Sequence, residues 1–184
     1  RRVPEEVVKA LVLALATTDT PSGRRRIAYH DLGVEQLGAV YERVLEHEPV
    51  ATRDGLVLQR TSTERKATGS FYTPRSITEF LVRRTLHPLV VNRPARDILA
   101  LRVVDPAMGS GAFLVGACHD LADQCEQALI RDGAWEAASV TAGERAALRR
   151  QVAEQCLYGV ALNPAAVQLA RLSLWLTTLA SGKP

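Results

Sequence analysis

Long apolar runs are missing from this 184-residue chain. The longest, Leu11 to Ala16, falls far short of the ~20 residues that a membrane span needs, so no membrane partner is expected. Aromatic residues make up only 5% of the chain, and there is one methionine. Three cysteines cannot all pair internally and suit a reducing, cytoplasmic setting. None of them forms a Cys-x-x-Cys pair: Cys118 and Cys125 are seven apart, and Cys156 stands alone. Core packing is therefore expected of them rather than zinc binding. An excess of one charge sign is lacking too, since 23 basic against 20 acidic residues leave only +3. That is too little to imply a nucleic-acid partner by itself, and too little to keep the chain disordered.

What is present is the composition of a soluble globular protein, 47% hydrophobic and 23% charged. Basic residues cluster at Arg24–Arg25–Arg26, at Arg60, Arg65 and Lys66, at Arg83–Arg84 and at Arg149–Arg150. Each cluster reads first as a solvated face or a loop, Arg149–Arg150 in particular. No leader pattern precedes the first helix. The chain starts at Arg1 rather than Met, which leads us to expect the interior of a longer protein.

Periodicity predicts an amphipathic helix over Pro4 to Thr17, with Val7, Val8, Leu11, Val12 and Leu15 on one side. A polar linker is expected over Thr18 to Arg26, and a second helix over Val34 to His47. A hairpin with an Asp54–Gly55 turn should join Val50–Arg53 to Leu56–Arg60. A helix begins at Pro74, with Ile77, Phe80, Leu81 and Leu86 as its apolar face and Pro88 at its end. Leu101 to Asp105 is a short strand, followed by a helix over Ala112 to Ile130. Thr141 with Glu144 is a capping-box pattern opening a helix to Gln155. A second strand covers Leu157 to Ala161. Asn163–Pro164 supplies a cap and a first-turn proline for the last helix, which runs to about Leu179.

Strand, glycine turn, helix, strand and helix form a βα unit that has begun to repeat. A parallel sheet with helices on both faces is the expected solution, with ligands bound outside the carboxyl ends of the strands. The turn after Asp105 is the chemical centre. Gly109 and Gly111 permit a tight turn and a close ligand approach, and the following helix start favours an anion. Neither the P-loop nor the full Gly-x-Gly-x-x-Gly spacing is present. Asp105 adds a carboxylate at the strand tip, which suits a ligand that also carries a cation.

The segment Asp105–Pro106–Ala107–Met108–Gly109–Ser110–Gly111–Ala112–Phe113–Leu114 resembles the cofactor motif of DNA adenine-N6 methyltransferases. The resemblance is closest to large type II restriction–modification methylases and their phage-defence relatives. Three further segments resemble that family in the same order: residues 31–42 its helical lead-in, 65–74 its Tyr-Thr-Pro turn, and 159–176 its second strand and helix. This resemblance implies an incomplete Rossmann-like, class I methyltransferase sheet. Residues 1–60 would form a helical lead-in with a hairpin, and 61–184 the first part of the methyltransferase domain.

It also implies S-adenosylmethionine as cofactor and duplex DNA as the partner of the full-length protein. Tyr72, Thr73 and Pro74 would line the methionine end, and Asp105 would face the ammonium. Ala107, Gly109 and Gly111 would shape the floor. Phe113 and Pro164 would be structural, Glu42 an exposed helix charge, Asn163 a helix cap, and Trp175 with Leu172 and Leu176 the buried face of the last helix. Ala161 departs from the family pattern, which has an acidic residue there to accept hydrogen bonds from the ribose hydroxyls. The adenine-holding Asn/Asp-Pro-Pro-Tyr/Phe motif is absent from all 184 residues, and no catalytic residue is assigned. Missing catalytic and target-recognition regions are expected beyond Pro184, with part of the apolar surface awaiting them. The chain alone is expected to be inactive. A non-catalytic methyltransferase-like scaffold or DNA-binding subunit is the alternative, and a small-molecule methyltransferase a third.

Overall fold

The computed structural model describes residues 4–27, 40, 47–53, 55–60 and 73–179. It is a mixed α/β chain that divides into two compact units, Arg1–Gly33 and Val34–Pro184.

In the first unit, helix α1 (Glu5–Ala16) runs directly into strands β1 (Thr17–Thr20) and β2 (Gly23–Arg26), an antiparallel hairpin. The polar linker expected over Thr18 to Arg26 is thus a paired ribbon. Its sequence lacks the apolar alternation of a half-buried strand because neither strand has a buried residue. Pairing rests instead on the Pro21–Ser22 turn, on Gly23 at φ 112°, and on an Asp19–Arg24 ion pair at 3.1 Å. The Ile27 N–H donates to the Ala16 carbonyl at 2.9 Å and ties the ribbon to the helix end. α1 carries the predicted apolar stripe but buries none of it.

The second unit contains a further antiparallel hairpin, β3 (His47–Thr52) with β4 (Gly55–Arg60). Thr52 pairs with Gly55, so Gly55 opens β4 at φ 127° rather than sitting inside the turn. Most of the helix expected over Val34 to His47 lies outside the described residues, and His47 belongs to β3.

The core is built by helices α2 (Arg75–Val90), α3 (Ala95–Leu99), α4 (Ala112–Arg131), α5 (Ala142–Cys156) and α6 (Pro164–Thr178) around strands β5 (Val103–Asp105) and β6 (Leu157–Gly159). β5 and β6 pair in parallel, with Val103 opposite Leu157 and Asp105 opposite Gly159. Side chains alternate across this short sheet. Val103 and Leu157 pack on the helical core, while Val104 and Tyr158 are 60% and 47% exposed. Helices on both faces were expected. Among the described residues, the face carrying Val104 and Tyr158 is bare.

α4 is the hub and buries eight residues, including Leu121, Cys118 and Cys125. Its end is sealed by Gly133 at φ 75°, with the Ala134 N–H reaching the Leu129 carbonyl and the Gly133 N–H reaching that of Ile130. All three cysteines are buried in this core, as expected from sequence. Burial pushes the Cys118 and Cys125 thiols up to about 12.

Two predicted helix faces are largely turned outward, although Leu86 is buried as expected and Leu176 is half-buried. α2 buries Thr78, Val82, Leu86 and Val90, whereas Ile77, Phe80 and Leu81 remain exposed. Gly116 of α4 decides this, because a Cβ there would lie 3.2 Å from the Thr78 methyl, so α4 fits tightly against that stripe. α6 buries Ala166, Ala170, Ser173 and Thr177, while Leu172 and Trp175 face outward. Its small-residue stripe is selected by close approach to the Gly111 turn. Pro88 lies inside α2, in the last turn, rather than at its end. Arg149 is not a bare surface charge. Its guanidinium donates to the Thr177 carbonyl at 2.7 Å and closes the end of α6.

Candidate functional site

The site is the turn between β5 and α4. β5 delivers Asp105 to the sheet edge, and the chain reverses through Pro106 to Gly111 before α4 begins. One carboxylate oxygen, Asp105 Oδ1, accepts the Ala107 N–H at 3.0 Å and shapes the start of the turn. The other, Oδ2, is shielded from solvent and has no hydrogen-bond partner among the described residues. A buried polar oxygen left unmatched costs about 1–3 kcal/mol, so this atom is a candidate acceptor for a donor that the described residues do not supply.

The turn is tied to the neighbouring strand. The Val160 N–H donates to the Asp105 carbonyl, and the Met108 N–H donates to the Val160 carbonyl, both at 2.9 Å. Met108 and Leu114 fold over Gly159 so closely that a Cβ at that position would collide with both. Gly111 takes φ 89° and backs onto Ala170, where a Cβ would sit 3.0 Å away. Gly109, at φ 52°, faces open space. Glycine is thus needed at 111 for conformation and for packing, and at 109 for conformation.

α4 begins without any side-chain cap. Its first N–H groups and the helix dipole therefore remain available to an anion. Asp105 and the α4 start together present an acceptor and a set of donors at one strand end. This pairing suits a zwitterionic ligand group.

Of the residues predicted for the site, Asp105, Ala107, Gly109 and Gly111 are brought together by this turn. Thr73 is half-buried, and Pro74 precedes α2, its carbonyl accepting from the Ile77 and Thr78 N–H groups. The Thr78–Gly116 approach sets the first turn of α2 beside the second turn of α4. Tyr72 lies outside the described residues. Ala161 is half-buried just past β6 and offers no side-chain acceptor. Asn163 cannot replace it without losing a cap, since its Oδ1 accepts the Ala165 N–H at 2.9 Å. Sequence reasoning missed Met108 and Gly159, which lock the turn to β6. The adjacency of Gly159 to Val160 in the second predicted strand was the available signal.

A separate groove of about 1010 Å³ lies between α2 and α4, lined among others by Phe80, Arg83, His87, Asp120 and Asp123. Burial raises the carboxyl groups of Asp120 and Asp123, against the opposing pull of Arg83 on the first and His119 on the second. No residue of the Asp105 turn lines it. Among the described residues, no group of His, Cys, Asp or Glu is arranged to hold a metal ion, and no helix is long and apolar enough to cross a membrane.

Comparison with known proteins supplies the family. A Methanocaldococcus jannaschii protein named as a type II restriction enzyme and methyltransferase is 24% identical over 213 residues, covering 95% of this chain but 16% of its own length. The adenine-specific methyltransferase PglX of Streptomyces coelicolor is 30% identical over 117 residues, covering 64% of this chain and 8% of its own length. The chain thus spans a small fraction of these relatives. The model of the N-6 DNA methylase family matches residues 35–182, a stretch that contains the whole Asp105 turn, and the chain belongs to that family.

Proposed function

We propose that this chain is the cofactor-binding portion of a DNA methyltransferase that moves a methyl group from S-adenosylmethionine to N6 of adenine in duplex DNA. The setting would be restriction–modification or phage defence, in the cytoplasm. Residues 61–184 would be the first part of a Rossmann-like methyltransferase domain, and 1–60 its lead-in. The observation that carries this reading is the unpartnered Asp105 Oδ2 at the end of a parallel strand, beside an uncapped helix start.

The cofactor fits at its methionine end. Asp105 Oδ2 would accept from the ammonium, and Gly109 leaves the space over the turn clear. Thr73, Pro74 and Tyr72 would enclose the same end. The ribose end is less well served, because Ala161 accepts nothing and Asn163 is committed to its cap. When bound, the cofactor supplies the methyl group. The chain's own part is to orient it, and the adenine-holding motif would come from elsewhere in a longer protein.

Calorimetry with S-adenosylhomocysteine tests this. The wild-type chain should bind. Asp105→Asn keeps an oxygen for the Ala107 N–H but points an amide donor at the ammonium. A lost charge-assisted bond of about 1.5–3 kcal/mol predicts weakening of about ten- to a hundredfold. Unchanged affinity would remove Asp105 from the site. Adenine-N6 methylation of duplex DNA by the chain alone should not be detected, and its detection would overturn the division of labour proposed here. Ala161 favours a second reading, a methyltransferase-like scaffold that binds no cofactor. A complete lack of binding by chain and full-length protein would support it.

A further inference from the structure

The first unit carries a charge pattern that the cofactor site does not use. β2 is Gly23–Arg24–Arg25–Arg26, all exposed, paired with Thr20–Asp19–Thr18–Thr17 of β1. Arg24 is matched by Asp19 at 3.1 Å. Arg25 and Arg26 lie opposite Thr18 and Thr17, and no acidic group pairs with either among the described residues. Successive side chains leave a ribbon on opposite faces, so Arg25 and Arg26 flank its two sides. The remaining acids described in this unit, Glu5 and Glu6, sit at the opposite end of α1. That is about 16 Å along the helix axis, beyond a Debye length of about 8–10 Å near physiological salt. Among the described residues, the ribbon end of the unit is therefore locally cationic even though the whole chain is nearly balanced.

We propose that the β1–β2 hairpin is an accessory contact for duplex DNA, gripping phosphates through Arg25 and Arg26. The inference rests on the DNA-methyltransferase reading above. Because they leave opposite faces of the ribbon, Arg25 and Arg26 would reach the phosphates of the two strands that wall a groove. An exposed two-stranded ribbon is also slim enough to lie along a groove. Contacts of this kind position the protein and carry no sequence information. They would hold the lead-in on DNA while the reaction centre is elsewhere.

Salt dependence of duplex binding by the full chain, measured by fluorescence anisotropy, tests the proposal. R25S/R26S removes two phosphate contacts, so the slope of log affinity against log salt should fall by about 1.8. Between about 50 and 200 mM salt the wild type should then lose about twelvefold more affinity than this variant. D19N frees Arg24 and should steepen the slope by about 0.9, a gain that a misfolded variant would not produce. R84Q/R150Q removes the same charge elsewhere and should leave the slope unchanged. An equal fall in that control, or no change in R25S/R26S, overturns the proposal. Binding to anionic lipid vesicles with none to DNA also overturns it. S-adenosylhomocysteine binding is measured alongside. If it persists while the wild type ignores DNA, the hairpin proposal fails and the cofactor site stands. If it is absent while the slopes shift as stated, the hairpin stands and the cofactor reading fails.

Discussion

β5 and β6 lie side by side, and each hands the chain to a helix. After β6 the handover is closed by the protein's own groups. Asn163 caps α6 through the Ala165 N–H, and Pro164 occupies a first-turn position where no N–H is needed. After β5 the handover is left open. Gly111 starts α4 in a left-handed conformation with no side-chain cap, and Asp105 keeps one shielded oxygen unpartnered. The two turns are bonded together through Val160, so they share one scaffold. A helix start that is satisfied internally is structural. One that is held without a side-chain cap leaves its N–H groups open to an outside acceptor.

Gly111→Val should break this comparison most severely. It forces a β-branched residue into φ 89° and against Ala170. Together these should cost about 2–4 kcal/mol of stability by denaturant unfolding. A near-neutral result would mean that the α4 start is not rigid. Next is Ala161→Asp, which on the proposed reading would supply a ribose acceptor after β6. S-adenosylhomocysteine should then bind about tenfold or more tightly, in line with a charged hydrogen bond. Unchanged affinity would separate the β6 turn from the ligand. Asn163→Ala should cost about 1 kcal/mol of stability and leave the cofactor affinity alone. Lost affinity instead would make the closed turn a ligand contact.

The smallest effect concerns the α2–α4 groove, distant in role from both turns. Burial raises the Asp120 carboxyl above its ordinary value. The neutral form is thus favoured in the fold, and its contribution is present below the ordinary carboxylate range and lost as pH rises through the folded value. Asp120→Asn mimics the neutral form. It should raise the melting temperature slightly at pH near 7, and the gain should vanish near about pH 3. A gain that persists in acid would point to repacking rather than to charge.

Much of this was legible in residues. Thr141 and Glu144 close the predicted capping box, with the Glu144 carboxyl held low by hydrogen bonds from Thr141. Asn163–Pro164 starts α6 where expected, and the glycine turn begins α4 where expected. Local chemistry decides such features, because caps and turns are satisfied by neighbours in sequence. The β1–β2 hairpin was missed because its exposed Thr and Arg residues carry no burial signal. α3 was missed because five residues give too short a period to read.

Which faces would be buried was not legible. α1 has a clean apolar stripe and buries nothing, whereas α5, rich in Ala, Arg, Glu and Gln, buries Val152 and Cys156 completely. Periodicity shows that a face exists but not whether a neighbour arrives. Ile77, Phe80, Leu172 and Trp175 illustrate this: glycines at 116 and 111 admit closer contact with small residues beside them than with the large apolar ones. By itself, then, the sequence determined the starts of α4, α5 and α6, the glycine turn and Asp105 as the acid beside it. Only the tertiary structure decided that one Asp105 oxygen is consumed by Ala107 while the other stays shielded and unpartnered. Hydrogen-bond satisfaction depends on what packs around an atom, and no local pattern records that.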